Sequence, residues 1–242
     1  MFNYLPVINT TQSEKKVKNI RQLIKKNRIS CLTHFTHIDN LRSILEFGIL
    51  PLSILESNKT FANVRKTSVS LPREWHGLVP LNISFPDYKL FNQMQNHQSS
   101  EWVVLLIDPA ILYNFPCYFF PDRASEFIGF APQAGLPLGE YQTSGALKDL
   151  FADTETVKRR ELEIPSFYTT NPCSEVLSFF PIAPSSITQV FFASDYKFNM
   201  WVLSNTDFAV SRVRNLWNCG LQFHSPRTDY TFWKRIGAGT GS

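Results

Sequence analysis

The 242-residue chain is poor in the residues that usually betray a metal or redox protein. Its four cysteines, Cys31, Cys117, Cys173 and Cys219, stand far apart with no CxxC pair. That excludes a zinc knuckle or a disulfide framework as a ready reading, and the thiols are expected to be reduced. Long hydrophobic runs are missing as well. Nothing approaches the roughly 18 consecutive apolar residues of a membrane span, and the opening MFNYLPVINTTQSEKK has neither the basic start nor the apolar centre of a secretion signal. A cytoplasmic protein without a membrane partner is expected. There is no GxGxxG turn, no internal repeat and no low-complexity tract. What remains, 43% apolar and 18% charged residues, is the composition of an ordinary globular protein. It suits a single domain over residues 1–236, followed by a flexible GAGTGS tail at 237–242.

The net charge of +4 is unevenly spread. Ser13–Arg28, SEKKVKNIRQLIKKNR, carries seven Lys or Arg against one Glu. Val17, Ile20, Leu23 and Ile24 recur there at helical spacing, so a basic amphipathic helix is expected within residues 1–29. Such a charge run is most often a solvated helix face. The alternative is a face that follows a phosphate backbone.

After that helix, Ser30–Phe35 alternates like a short strand. Ile38, Leu41, Ile44 and Leu45 then form a helical stripe that Gly48 ends. Thr36 is the expected N-cap, with Asp39 in the first turn. Further strands are expected near Lys66–Leu71, in LVPLNISF at 78–85, at Trp102–Ile107, Cys117–Phe120, Ser174–Phe180 and Gln189–Ala193, and near Ala209–Arg212. Between Gly129 and Asn171 the pattern weakens, apart from a helical piece near Ala146–Phe151; a long irregular stretch of this kind usually carries function. The fold class is α+β: an N-terminal helix and a core of mainly antiparallel strands.

Two of the five histidines, His34 and His37, fall where strand gives way to helix. Metal binding would need converging imidazoles and further ligands, and no third His, Cys or Asp stands at a recognisable spacing. A structural reading makes one a core residue and the other a helix cap. A third reading comes from the whole pattern, CLTHFTHIDNLRSILEFGIL, in which His34, Thr36, His37, Asn40, Leu41, Ile44, Leu45 and Gly48 stand in order. This pattern resembles the opening motif of the DarT family of nucleic-acid ADP-ribosyltransferases. The order of Leu78-Val79-Pro80-Leu81, the strand Trp102–Ile107, and Ser174-Glu175-Val176-Leu177 after an irregular loop resembles that family too, over residues 30–195.

The resemblance implies an ADP-ribosyltransferase-like fold and an NAD-dependent mono-ADP-ribosyltransferase. Its acceptor would be a base in single-stranded nucleic acid, DNA before RNA, since only an unpaired base exposes its edge. It implies a toxin of a toxin–antitoxin or phage-defence system, with a cognate antitoxin as partner. Transfer of ADP-ribose builds positive charge on the ribose, and a carboxylate beside it stabilises that charge or takes a proton from the nucleophile. By its place after the loop Glu175 is that carboxylate, with Arg65 as the active-site arginine and Arg73 as the other option. His34, Thr36, Asn40 and Leu41 would form the NAD site, and His37 a structural cap. Phe167, Tyr168, Thr169 and Asn171 would meet the nucleic acid by stacking and edge hydrogen bonds. Two positions depart from the family pattern. Asn82 stands where an aromatic is usual, with Phe85 or Tyr88 as replacements, and Arg123-Ala124 stands for Asn-Ala. No metal is implied. Rivals remain open: a non-catalytic binding module that does not depend on Glu175, a transferase aimed at protein or an NAD glycohydrolase, and a zinc hydrolase.

Overall fold

The computed structural model describes residues 12–65, 73–97, 101–125, 138–208, 213 and 215–233. The strands expected at 66–71 and 209–212 and the tail at 237–242 lie outside them.

Helix α1 (Glu14–Asn27) begins at Ser13, whose hydroxyl accepts from the Lys16 N–H, and ends where Arg28 turns left-handed with φ 56°. Ile20 is fully buried and Leu23 and Ile24 pack beside it on the core, so the cations other than the partly buried Lys16 project outward. Strand β1 (Leu32–His37) leads through a 3-10 turn (Ile38–Asn40) into α2 (Leu41–Phe47). Of the two expected caps, Thr36 and His37, the structure uses the second. Thr36 is still strand, paired with Val103, and it is His37 whose Nδ1 accepts the Asp39 N–H at 3.1 Å. Gly48 closes α2 at φ +87°. A Cβ there would stand 2.2 Å from the Ile182 carbonyl oxygen, so only glycine fits.

The chain continues through α3 (Leu52–Ser57), β2 (Val79–Ile83), α4 (Tyr88–His97), β3 (Trp102–Ile107), α5 (Ile111–Asn114), β4 (Cys117–Phe120), α6 (Ser144–Asp149), β5 (Glu175–Ser178), β6 (Ile187–Phe192), α7 (Asp195–Ser204) and β7 (Trp217–Cys219). Among the described residues seven strands form one sheet in the order β4-β5-β2-β1-β3-β6-β7. Every pairing is antiparallel except β6 with β7. This is the mixed, mainly antiparallel fold that the sequence led us to expect. All six residues of β3 are buried, as its central place demands. Between Leu150 and Ser174 the chain has turns but no helix or strand. Sequence periodicity left α4 unforeseen: Pro86 ends the extended run, and the Asp87 carboxylate caps the helix by accepting the Leu90 N–H at 3.1 Å.

Candidate active site

The sheet splits at its middle. Strands β1 and β2 pair only at Leu32 with Ile83 and Thr33 with Asn82, whereas β1 stays paired with β3 over all six residues. Beyond Thr33 a cavity opens between the strands. One wall carries His34, Phe35, Thr36, Asn40 and Arg65, and the other Pro80, Asn82, Asp87, Arg123, Ser125 and Glu175.

His34 reaches across the split, with Nδ1 3.1 Å from the Pro80 carbonyl oxygen. That oxygen can only accept, so Nδ1 donates. Enclosure by protein holds the imidazole below its ordinary 6.5, against the smaller opposing effect of that bond, and leaves it neutral. Nε2 therefore bears the lone pair, an assignment made from the hydrogen-bond partner. Asn40 is buried and braces the loop carrying Arg65: its Nδ2 donates to the Arg65 carbonyl at 2.7 Å and to Thr36 Oγ1 at 3.0 Å, and its Oδ1 accepts the Arg65 N–H at 2.8 Å. The Arg65 Nε lies 2.9 Å from Asp39 Oδ2, with both side chains about half exposed.

Glu175 opens β5, opposite Phe120 of β4. Part of its surface faces the cavity, yet the carboxyl is enclosed enough to lose most of its hydration. That desolvation pushes its pKa up to about 7; Asp87 and Asp122 add to the rise, while the Ala124 N–H and the Arg123 guanidinium oppose it. The Ala124 N–H is the fixed point, 2.8 Å from Oε2. Behind it the Arg123 fork clasps Asp87 through Nε on Oδ2 and Nη2 on Oδ1, the latter at 3.1 Å, and the Cys173 sulfur sits 3.7 Å from the same Oδ1. Asn82 accepts the Asp87 N–H at 3.1 Å and donates to the Ser174 carbonyl at 3.0 Å, next to Glu175. Its role is bracing.

The fold thus gathers His34, Thr36, Asn40, Arg65 and Glu175 at one cavity. Thr36, 2% exposed, is occupied with Asn40. Leu41 is wholly in the core and Arg73 is exposed; neither lines the cavity. Phe167, Tyr168, Thr169 and Asn171 are also absent from its walls. Phe167 is exposed, Tyr168 is half-buried against Phe85, Thr169 is buried, and Asn171 Nδ2 donates to the Pro121 carbonyl at 2.9 Å. Phe85 and Tyr88 are buried in the apolar cluster around Phe91 and do not line the cavity. Two residues escaped the sequence reading. Phe35, packed at 4.8 Å on Phe91, is the aromatic that does line the cavity, and Asp87 was hidden as a helix-start residue. Arg123 was visible only as a departure from a pattern.

Among the described residues no group of three or more His, Cys, Asp or Glu is placed to hold a metal ion, and no helix is long and apolar enough to cross a membrane.

The family model for the "ssDNA thymidine ADP-ribosyltransferase, DarT" matches residues 33–200, more than half of the chain. The chain belongs to the DarT family. DarT enzymes are NAD-dependent ADP-ribosyltransferases of single-stranded DNA, so this chain is one, with NAD as the ADP-ribose donor. No curated protein matches the chain. Among solved structures, DarT from Thermus sp. 2.9 in complex with carba-NAD+ aligns with a TM-score of 0.48 at 16% identity, covering 84% of this chain and 97% of its own. The same protein in complex with ADP-ribosylated ssDNA aligns at 0.46 and 14%, covering 81% and 96%. DarTG from Thermosipho africanus in complex with ADP-ribose aligns at 0.43 and 14%, covering 78% and 49%. Membership of the DarT family rests on the family model and not on these alignments.

Proposed function

We propose that this enzyme transfers ADP-ribose to thymine in single-stranded DNA, with Glu175 as its catalytic carboxylate. The observation that carries the assignment is the Glu175 carboxyl itself, pinned by the Ala124 N–H at 2.8 Å and facing, across the split sheet, a wall built from the His34 motif. In the transfer the bond between ribose C1′ and the nicotinamide nitrogen breaks, and its electron pair leaves with nicotinamide. A base nitrogen bonds to C1′. In thymidine N3 is the only ring nitrogen that carries a proton, and that proton passes to Glu175. A carboxyl with a pKa near 7 is matched to this task, because both of its forms are populated at neutral pH.

The neutral His34 offers Nε2 as acceptor to a ribose hydroxyl of NAD. Phe35 offers a ring face, and Arg65 exchanges Asp39 for pyrophosphate. Thr36 and Asn40 serve the dinucleotide indirectly by fixing the Arg65 backbone. Arg73 and Leu41 stand outside the cavity walls and have no part in this reading. Phe167, exposed on the turn-rich loop before Glu175, is the stacking residue for DNA, and Tyr168, Thr169 and Asn171 set the shape of that loop. The outward cations of α1 guide the phosphate backbone. An enzyme that modifies DNA endangers its own cell. We therefore read it as a cytoplasmic toxin held in check by an antitoxin that removes the modification or blocks the cleft.

The test is incubation of the purified protein with labelled NAD and, separately, thymidine-containing single-stranded DNA, the same sequence lacking thymidine, RNA, and a protein extract. Label on the first alone, lost in Glu175→Ala, supports the reading. Label on protein, or label that persists in Glu175→Ala, overturns it.

A further inference from the structure

The family model stops at residue 200, yet the chain beyond it returns to the loop that leads into Glu175. Arg227 and Asp229 form an ion pair with both side chains only 3% exposed, Nη2 to Oδ2 at 2.7 Å and Nε to Oδ1 at 2.9 Å. The Trp233 Nε1–H donates to the same carboxylate at 3.0 Å. The same guanidinium also reaches the loop. Nη2 also donates to the Thr169 carbonyl at 3.1 Å, and the guanidinium lies 4.7 Å from the centre of the Tyr168 ring.

A buried ion pair is weak evidence for stability, because desolvating two charges consumes much of what their attraction returns. What this one supplies is direction. A guanidinium locked in a two-point clasp has one orientation, and that orientation aims its second Nη2 N–H at the Thr169 carbonyl.

We propose that Arg227 is a positioning residue for the acceptor DNA. It fixes the backbone at Tyr168 and Thr169 and so presents Phe167, without acting on Glu175. The inference rests on the proposal that this loop meets DNA. Its distinctive content is independence. Glu175 is held by other means: the Ala124 N–H on its carboxyl, the Asn82 amide on the Ser174 carbonyl, and strands β4 and β2 on either side of β5. Loosening the Arg227 clasp therefore weakens the grip on DNA and spares the handling of NAD.

The test uses the full chain with Arg227→Gln and Arg227→Lys, measuring KM for a thymidine-containing single-stranded oligonucleotide, KM for NAD, kcat at saturating DNA, and the melting temperature. Arg227→Gln is expected to raise KM for DNA at least tenfold while KM for NAD and kcat stay within about threefold; Arg227→Lys, which keeps the charge but not the fork, falls between it and the wild type. An unchanged KM for DNA overturns the proposal, and so does a parallel loss in all three parameters by a folded variant. If neither variant folds, Trp233→Phe, which removes only the bond to Asp229, decides: the same split on a smaller scale supports the proposal, and its absence ends it. Wild-type enzyme that labels no DNA at all would instead overturn the proposed function, so the two failures are distinct.

Discussion

The two walls of the cleft each hold an arginine against an aspartate, and the two pairs behave differently. Arg65 and Asp39 meet with side chains 56% and 52% exposed; Arg123 and Asp87 meet with 11% and 5%. An exposed pair of this kind contributes about 0–1 kcal/mol. It can be surrendered to an incoming phosphate at small loss. A buried pair that loses one partner leaves a charge without solvent or counter-charge, at a cost of about 3–5 kcal/mol. One wall is therefore exchangeable and suits a ligand that comes and goes, while the other is fixed and suits a carboxylate whose position decides the chemistry.

The sharpest way to probe the fixed wall is Glu175→Gln, which keeps an acceptor for the Ala124 N–H but cannot ionise. Loss of a group that receives a proton in the transition state is worth roughly 10²–10⁴ in rate, and a fall of kcat by about 10³ is expected in the labelling assay. The same substitution should stabilise the protein at pH 8. Below pH 4.5 Glu175 is protonated whether the chain is folded or unfolded. Between 4.5 and about 7 the unfolded chain ionises while the folded one resists, so stability is lost as pH rises. Above about 7 the loss levels off near ~3 kcal/mol, taking ~1.4 kcal/mol for each tenfold change in ionisation. Denaturation of the variant and the wild type at pH 4 and pH 8 checks this; equal stability at both would mean that the carboxyl is well solvated. For the wild type, kcat/KM for NAD should rise with pH through a midpoint near 7.

Next in size is Asp87→Asn, which removes the carboxylate that the Arg123 fork clasps and weakens the cap of α4. A loss of about 3–5 kcal/mol in urea unfolding is expected. Activity should fall with it, because Asp87 also orders the segment that presents the Ala124 N–H to Glu175. Activity that survives in the folded fraction would show that the Glu175 clasp stands without this pair.

These contrasts also explain what could be read without a structure. His34 and Glu175 were legible because their signals are local: a strand turning into a helix, and a strand starting after a long loop. Six of the strands, β1 to β6, followed from alternation and from apolar runs such as Trp102–Ile107, whereas the three-residue edge strand β7 (Trp217–Cys219) is too short and too polar to show in the sequence. The Asp87–Arg123 clasp was not legible, since its partners lie 36 residues apart and meet only when the sheet forms. Phe35 reads as a core aromatic until the split between β1 and β2 turns it into a cavity wall. Leu41 shares a motif with His34 but belongs to the core face of α2, and nothing in the spacing distinguishes a motif residue that packs from one that faces the ligand. That Arg65 lines the cavity while Arg73 does not shows only in the fold, where Asn40 braces the Arg65 backbone.

On the exchangeable wall effects should be smaller. His34→Ala removes one acceptor for a ribose hydroxyl, worth about 0.5–1.5 kcal/mol for an ordinary hydrogen bond. KM for NAD is therefore expected to rise about three- to tenfold, with the protein still folded. An unchanged KM would take His34 out of the NAD site and leave it as a link to Pro80.

The smallest effect carries the comparison furthest. Asp39→Asn removes the carboxylate that competes with pyrophosphate for Arg65, yet leaves the Asn40 brace on the Arg65 backbone untouched. The surface pair is worth at most about 1 kcal/mol, so the melting temperature should shift by only a few degrees. If Arg65 exchanges partners as proposed, KM for NAD falls about two- to threefold, and the fall shrinks as salt screens the charges. A rise in KM would carry the opposite lesson. Asp39 would then serve by holding the guanidinium in place for the dinucleotide, and both walls of the cleft would be fixed before NAD arrives.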